Sequence, residues 1–247
     1  MSSNSYLVVG LLEKMDSSDT DFRYMATNDL MNELQKDGFT LEESTEKRVV
    51  QKVIKLMDDA NGEVQNLAVK CLAPLVKKVR EPQLQEIVDQ LCSYTTQPGK
   101  EELRDIAGIG LKTVIVEIPS NPSASNVMLR LIPRLLAQLE DTNATYEVKM
   151  DTLDILSELL ARFGHSVANN PQVQKRIQNV LVPLLGHSRP AFRKRTTVAL
   201  GNLVTHTPDD LFNELVQQLL VEFGRAGEQN DKLKTLVQCV GTLRHVI

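Results

Sequence analysis

Six times along this chain, an apolar residue is followed four positions later by a small or β-branched one and eight positions later, in all but the last copy, by another apolar one. Phe22, Ala26 and Leu30 set the pattern. It recurs at Val64, Ala68 and Leu72, at Leu103, Ala107 and Leu111, at Val148, Thr152 and Leu156, and at Phe192, Thr196 and Leu200; Leu233, Val237 and Gly241 form a weaker sixth copy. Steps of four keep the three residues on one side of a helix. A small central residue lets a second helix cross at about 8–10 Å. The leading residues lie 42, 39, 45, 44 and 41 positions apart. A self-similar unit of roughly 40–47 residues is a pair of helices that cannot bury its apolar face alone and must stack on its neighbours. After each leading residue comes a long polar one: Arg23, Gln65, Arg104, Lys149, Arg193 and Lys234.

Composition supports helices. Aromatics make up 4% of the 247 residues, Trp is absent, and there are 12 Gly and 10 Pro, too few for a chain of strands and tight turns. Apolar periodicity predicts helices near 4–15, 20–36, 43–57, 61–79, 82–95, 100–117, 123–139, 145–163, 170–186, 190–205, 208–224 and 229–247. Asn170-Pro171 and Thr207-Pro208 are predicted to pair an N-cap with Pro at the first helical position. Ser18 to Asp21 and Thr40 to Glu43 fit the capping-box spacing. Pro133 and Pro183 fall inside the first helix of their pairs, where they bend it. A proline-bent first helix, a turn and a second helix resemble the HEAT repeat. The expected fold is all-α, an α-solenoid (right-handed superhelix) of about six HEAT repeats. Their approximate spans are 4–38, 43–80, 82–118, 123–165, 170–206 and 208–247, in one continuous domain stacked as a rod of roughly 50–60 Å.

Several chemistries are disfavoured. The 28 basic and 32 acidic side chains give a net charge of −4, which does not favour nucleic acid. The longest early apolar run, Leu7 to Leu12, cannot span a membrane. His165, His187, His206 and His245 sit in different repeats without metal-site spacing. Gly108-Ile109-Gly110-Leu111-Lys112-Thr113 is not a phosphate loop, because it lies mid-helix; close packing accounts better for its glycines. Gly164-His165-Ser166 and Gly186-His187-Ser188 lack a nucleophile-elbow pattern. Cys71, Cys92 and Cys239 lie on apolar stripes as buried, inert thiols, and a reducing setting, cytoplasmic and nuclear, is expected. Asp58-Asp59 and Asp209-Asp210 read as helix caps, and Asn143-Ala144-Thr145 reads as a turn. No catalytic constellation, metal or cofactor is expected.

What remains is surface. The second helices offer Arg23, Asn28, Gln65, Asn66, Lys70, Arg104, Lys112, Arg193, Lys194 and Arg195 as candidate partner-binding residues, suited to a protein with an acidic face. Specific strings go further. Leu11-Leu12-Glu13-Lys14-Met15 and Asp21-Phe22-Arg23-Tyr24-Met25-Ala26-Thr27-Asn28-Asp29-Leu30-Met31 resemble the opening of the cullin-associated, neddylation-dissociated family. So do Asn61-Gly62-Glu63-Val64-Gln65-Asn66-Leu67-Ala68-Val69-Lys70-Cys71-Leu72, Leu103-Arg104-Asp105-Ile106 with Gly110-Leu111-Lys112-Thr113-Val114-Ile115, and Arg193-Lys194-Arg195-Thr196 with Ala199-Leu200-Gly201.

That resemblance implies a non-enzymatic regulator of cullin–RING ubiquitin ligases. Its N-terminal HEAT repeats would wrap the C-terminal region of an unneddylated cullin and its RING subunit, mask the neddylation site and support exchange of substrate receptors. Because the family continues for many more repeats, the chain is expected to be the N-terminal part of a longer assembly. Its companion would be C-terminal HEAT repeats, on the same or a separate chain. Neither nucleic acid nor membrane is an expected partner. The alternative is a HEAT adaptor for another protein, of the transport-receptor or phosphatase-scaffold type.

Overall fold

The structure, a computed structural model, describes residues 3–244. Twelve helices and no strand occur among them: α1 Ser3–Lys14, α2 Thr20–Gln35, α3 Glu43–Leu56, α4 Gly62–Leu75, α5 Glu81–Tyr94, α6 Glu101–Glu117, α7 Pro122–Glu140, α8 Tyr146–Ala168, α9 Pro171–Leu184, α10 Pro190–Val204, α11 Asp209–Ala226 and α12 Asn230–Arg244. The predicted spans agree closely. The exceptions are α8, which runs on to Ala168, and α4, which ends at Leu75, one residue after Pro74.

By its contacts the chain divides into two compact units, Met1–Val127 and Met128–Ile247. In the first, α2, α4 and α6 pack side by side, α1, α3 and α5 form a second row, and α3 pairs with α4 and α5 with α6. In the second unit α8, α10 and α12 are successive neighbours, α9 packs on α11, and α9 and α11 pair with α10 and α12. This is the pairwise helix packing of HEAT and armadillo repeats. Most stripe residues form the cores: Val64, Ala68, Leu72, Ala107, Leu111, Phe192 and Leu200 are all buried, whereas Phe22, which leads the first copy, is 54% exposed and Val148 is half-buried.

Helix starts were read less well than helix bodies. Asn170 caps α9 as predicted, its side chain accepting from the Val173 amide. Thr207 does not cap α11: Pro208 is the N-cap, without a side-chain bond, and the Thr207 hydroxyl instead donates to the Leu203 carbonyl. At α2 the cap is Asp19 rather than Ser18, and at α3 it is Glu42, which makes no capping hydrogen bond. Close packing explains one glycine of the predicted pair. A Cβ on Gly110 would meet Leu91, Leu72 and Met57 at 3.1–3.2 Å, whereas one on Gly108 would meet nothing within 4 Å.

The sixth copy of the pattern is corrected. Val237 is 61% exposed, while Thr235 and Cys239 are buried. The Thr235 hydroxyl donates to the Asp231 carbonyl, as Thr152 and Thr196 donate to Val148 and Phe192. The inward side of α12 therefore carries Thr235, Leu236, Cys239 and Leu243. Leu233, Val237 and Val240 offer an equally regular apolar spacing on another face, and periodicity alone does not choose between the two.

Candidate partner-binding surface

The long polar residue after each stripe leader has a structural duty in at least three repeats. Arg23 Nη1 donates to the carbonyls of Ser17 and Ser18, six and five positions back, while Nε and Nη2 grip the two Asp59 oxygens of the next repeat at 2.8 and 2.9 Å. Arg193 repeats the design: Nη1 donates to the His187 and Ser188 carbonyls, and Nε to the Thr235 hydroxyl at 2.9 Å. Gln65 Nε2 donates to the Asp59 carbonyl, again six positions back. Each side chain pins its own interhelical loop, and both arginines also reach the next repeat. Gln65 and Arg193 are buried and Arg23 is half-buried.

The other candidates differ in what they offer. Arg195 donates to an Asp154 carboxylate oxygen at 2.5 Å. Arg104 is half-buried, its Nε 3.7 Å from Asp105. Asn28 and Lys112 are half-buried, while Asn66, Lys70 and Lys194 are exposed. The structure thus separates side chains holding repeats together from three that face solvent freely.

Sequence reading missed the acidic halves of these clamps. Asp58 pairs with Lys100 and Asp59 with Arg23, so this acidic pair bridges repeats while Asp59 also accepts from the Asn61 amide in its own turn. Burial pushes the Asp59 carboxyl up, but the Arg23 guanidinium and the Asn61 amide outweigh it and leave Asp59 below its ordinary range. Glu46, buried on α3, accepts from the Arg80 amide ahead of α5. The signal for Asp59 was its place six residues before Gln65; Glu46 carried none.

The three cysteines are buried, and burial pushes the Cys71 thiol up to about 12 and Cys239 up to about 11. His165 and His206 come together edge-to-face at 6.3 Å. No group of three or more potential metal ligands exists among the described residues. His187 lies apart, stacked on Tyr146 and tilted against Phe192, and His245 falls outside the described residues. No helix among the described residues is long and apolar enough to cross a membrane.

One apolar area stands open. On α11 and α12, Phe212, Val216, Leu219, Leu220, Phe223, Val237, Val240 and Leu243 line a groove of about 650 Å³. Leu220, Val221, Val237 and Val240 are all exposed, unlike the corresponding sides of inner pairs.

Comparison with known proteins agrees with this architecture. Residues 2–113 match a family model described as stalled ribosome sensor GCN1-like, HEAT repeats. Over 98% of its length the chain is 45% identical to cullin-associated NEDD8-dissociated protein 2 of Mus musculus and 46% identical to cullin-associated NEDD8-dissociated protein 1 of Drosophila melanogaster, covering 20% and 19% of those proteins. It spans, then, about a fifth of the curated relatives it matches first. It is also 24% identical to the N-terminal part of cullin-associated NEDD8-dissociated protein 1 of Emericella nidulans, covering 77% of that protein. Among solved structures, a chain from work on microtubule plus-end tracking by XMAP215, CLIP-170 and EB1 superposes with a TM-score of 0.64 at 19% identity, covering 94% of this chain and 89% of that one. A chain from the Kap95p–RanGDP structure superposes with a TM-score of 0.61 at 15% identity, covering 98% of this chain and 31% of that one. At those identities the likeness is one of fold alone.

Proposed function

The chain is a homologue of the N-terminal fifth of the cullin-associated NEDD8-dissociated proteins, and from that premise we propose that it is a non-enzymatic binding surface for a cullin. In this reading it holds the C-terminal region of an unneddylated cullin with its RING subunit and shields the neddylation site. Together with a C-terminal HEAT-repeat companion it supports exchange of substrate receptors. It acts in the cytoplasm and nucleus. The observation that carries the reading is 45–46% identity sustained over 98% of the chain. A stack of helix pairs whose polar groups are spent on one another suits binding rather than bond-making.

The exposed candidates Asn66, Lys70 and Lys194 are the positions through which we propose contact. Arg193 and Arg195 are poor probes, since they bond within the protein. Replacing Arg193 removes donors from buried carbonyls and should cost about 2–4 kcal/mol of stability. The double substitution K70E/K194E alters two exposed charges, so helicity should be unchanged while affinity for an unneddylated cullin–RING complex falls about tenfold. Unaltered affinity in that variant would exclude these two lysines from the contact.

The companion is proposed to stack on the α11–α12 groove. A helix pair of the same kind would bury there the exposed face of Leu220, Val237 and Val240, as α11 and α12 themselves cover α9 and α10.

A further inference from the structure

We infer that the face of α1 and α2 turned away from the rest of the first unit is a docking site for a basic amphipathic helix of another protein. The site lies wholly within that unit, and it does not depend on the cullin reading.

The repeat itself fixes the direction of this face. Gly110 stands seven residues after the leader Leu103, and a Cβ there would meet Leu72 of α4 and Met57 at the end of α3. That helix position therefore faces the preceding pair. Its equivalent in the first copy, seven residues after Phe22, is Asp29. On the other side of α2, Leu34 and Gln35 line a cleft with Ala73 and Pro74 of α4. At 3.6 residues per turn, Phe22, Met25 and Asp29 point about 160° away from that side. In α1, Leu12 and Glu13 line a cleft with Gln51 and Lys52 of α3, and Leu7, five and six positions earlier, lies on the opposite side of the helix. Among the described residues no helix pair covers Leu7, Phe22 and Met25. The leaders Val64, Leu103 and Phe192 of inner copies are buried, but Phe22 and Met25 are 54% and 60% exposed, and Leu7 is exposed beside them.

Charge decides what fits there. Residues 1–38 carry seven acidic and three basic side chains, so this stretch has by itself a net charge of −4, the same as the whole chain. Steps of four set Asp21, Met25 and Asp29 in one line along α2. Both aspartates are exposed, and among the described residues neither is ion-paired, whereas Asp16 pairs with Lys52 and Glu33 with Lys36. Lys14, in the last turn of α1, lies toward the same side and pairs with neither, so the face stays net negative. A plain terminal cap is polar throughout, yet this one leaves three large apolar side chains open. Another pair of the inner kind fits poorly: Cys71, Gly110 and Ala199 hold the Asp29 position in inner copies, and a carboxylate closed under a neutral helix loses water without gaining a partner. A helix bearing cations supplies that partner while its apolar stripe covers Phe22 and Met25. Asp21 and Asp29 lie about 12 Å apart along the axis, so a helix laid beside them meets them with cations about seven or eight residues apart. The matching pattern is Lys-x-x-Leu-Leu-x-x-Lys.

The test uses the full chain and a fluorescein-labelled, helix-forming peptide of about 16 residues that carries this pattern with Ala and Gln at x, followed by anisotropy at low and high salt. The same peptide with Glu for Lys, and one with Ser for Leu, serve as comparisons. The Lys–Leu peptide should bind and weaken with salt, and both comparison peptides should bind at least about tenfold more weakly. F22S/M25S should lose about tenfold in affinity. D21N/D29N should lose about fivefold, together with most of the salt dependence. I109S/V116S, which replaces exposed apolar residues of α6 away from this face, should bind as the parent does, and all three variants should keep the parent's helicity. Unchanged binding in F22S/M25S, an equal loss in I109S/V116S, or equal binding of the Glu peptide would each overturn the proposal. So would a concentration-dependent dimer of the chain alone that F22S/M25S returns to monomer in sedimentation velocity, because the face would then belong to a second copy. No cullin enters these measurements, so the two readings fail separately.

Discussion

The residue that changed meaning most is the polar one behind each stripe leader. In sequence Arg23, Gln65 and Arg193 looked like a row of contacts for a partner; in the fold each ties down the carbonyl six positions back. Their recurrence was legible, but its cause was not, because carbonyl acceptors leave no trace in side-chain pattern. Asp59 offers the cleanest test. Removing one member of a pair whose side chains are only 14% and 7% exposed leaves the other uncompensated, so D59N should lose about 2–3 kcal/mol at pH 7 by urea unfolding. The sign with pH follows from a carboxyl held below its ordinary value. Its contribution is complete above the unfolded pKa of about 3.9 and disappears as pH falls through the lower folded value. The gap between parent and D59N should therefore narrow only in that acid range. The cysteines test burial in the same way. With Cys71 and Cys239 pushed to about 12 and 11 and Cys92 also buried, a thiol reagent at pH 8 should label none of them in the folded chain and all of them in denaturant.

At the scale of the element, helix existence was legible almost throughout because stripe spacing reports burial directly. Helix starts were less so, since the Thr207 hydroxyl has a local alternative in the Leu203 carbonyl and Asp19 stands beside Ser18 as a second cap candidate. The sixth stripe is misplaced because Leu233, Val237 and Val240 are as regularly spaced as the buried Leu236, Cys239 and Leu243. Helix α6 carries a paired test. G108A adds a methyl in open space and removes a helix glycine, so it should stabilise by about 0.5–1 kcal/mol. G110A drives a methyl against Leu91, Leu72 and Met57 and should cost about 1–3 kcal/mol. Opposite signs two residues apart in thermal unfolding would establish that α6 meets α4 and α5 at Gly110. The α11–α12 face makes a different demand. L220D/V240D replaces exposed side chains, and unfolding free energy should shift by under about 1 kcal/mol. Binding to the C-terminal remainder of the Drosophila relative should nevertheless be lost, as measured by co-sedimentation.

For the whole molecule, the repeat count and the all-helical class followed from the near-constant spacing of Phe22, Val64, Leu103, Val148 and Phe192. The proposed partner did not follow from spacing. It came from long matching strings such as Asn61 to Leu72, whose exposed members include Asn66 and Lys70, which are not what holds the repeats together. The open apolar face was invisible to sequence, because it depends on which neighbours a helix lacks. The central claim is that this surface recognises a cullin by its unmodified state. The direct measurement is the affinity of the full chain, supplied with the C-terminal remainder of a relative, for one cullin–RING complex prepared with and without NEDD8. The account predicts a complex with the unneddylated form and at least about a tenfold weaker one with the neddylated form. Equal affinity for both, or none for either, would contradict it.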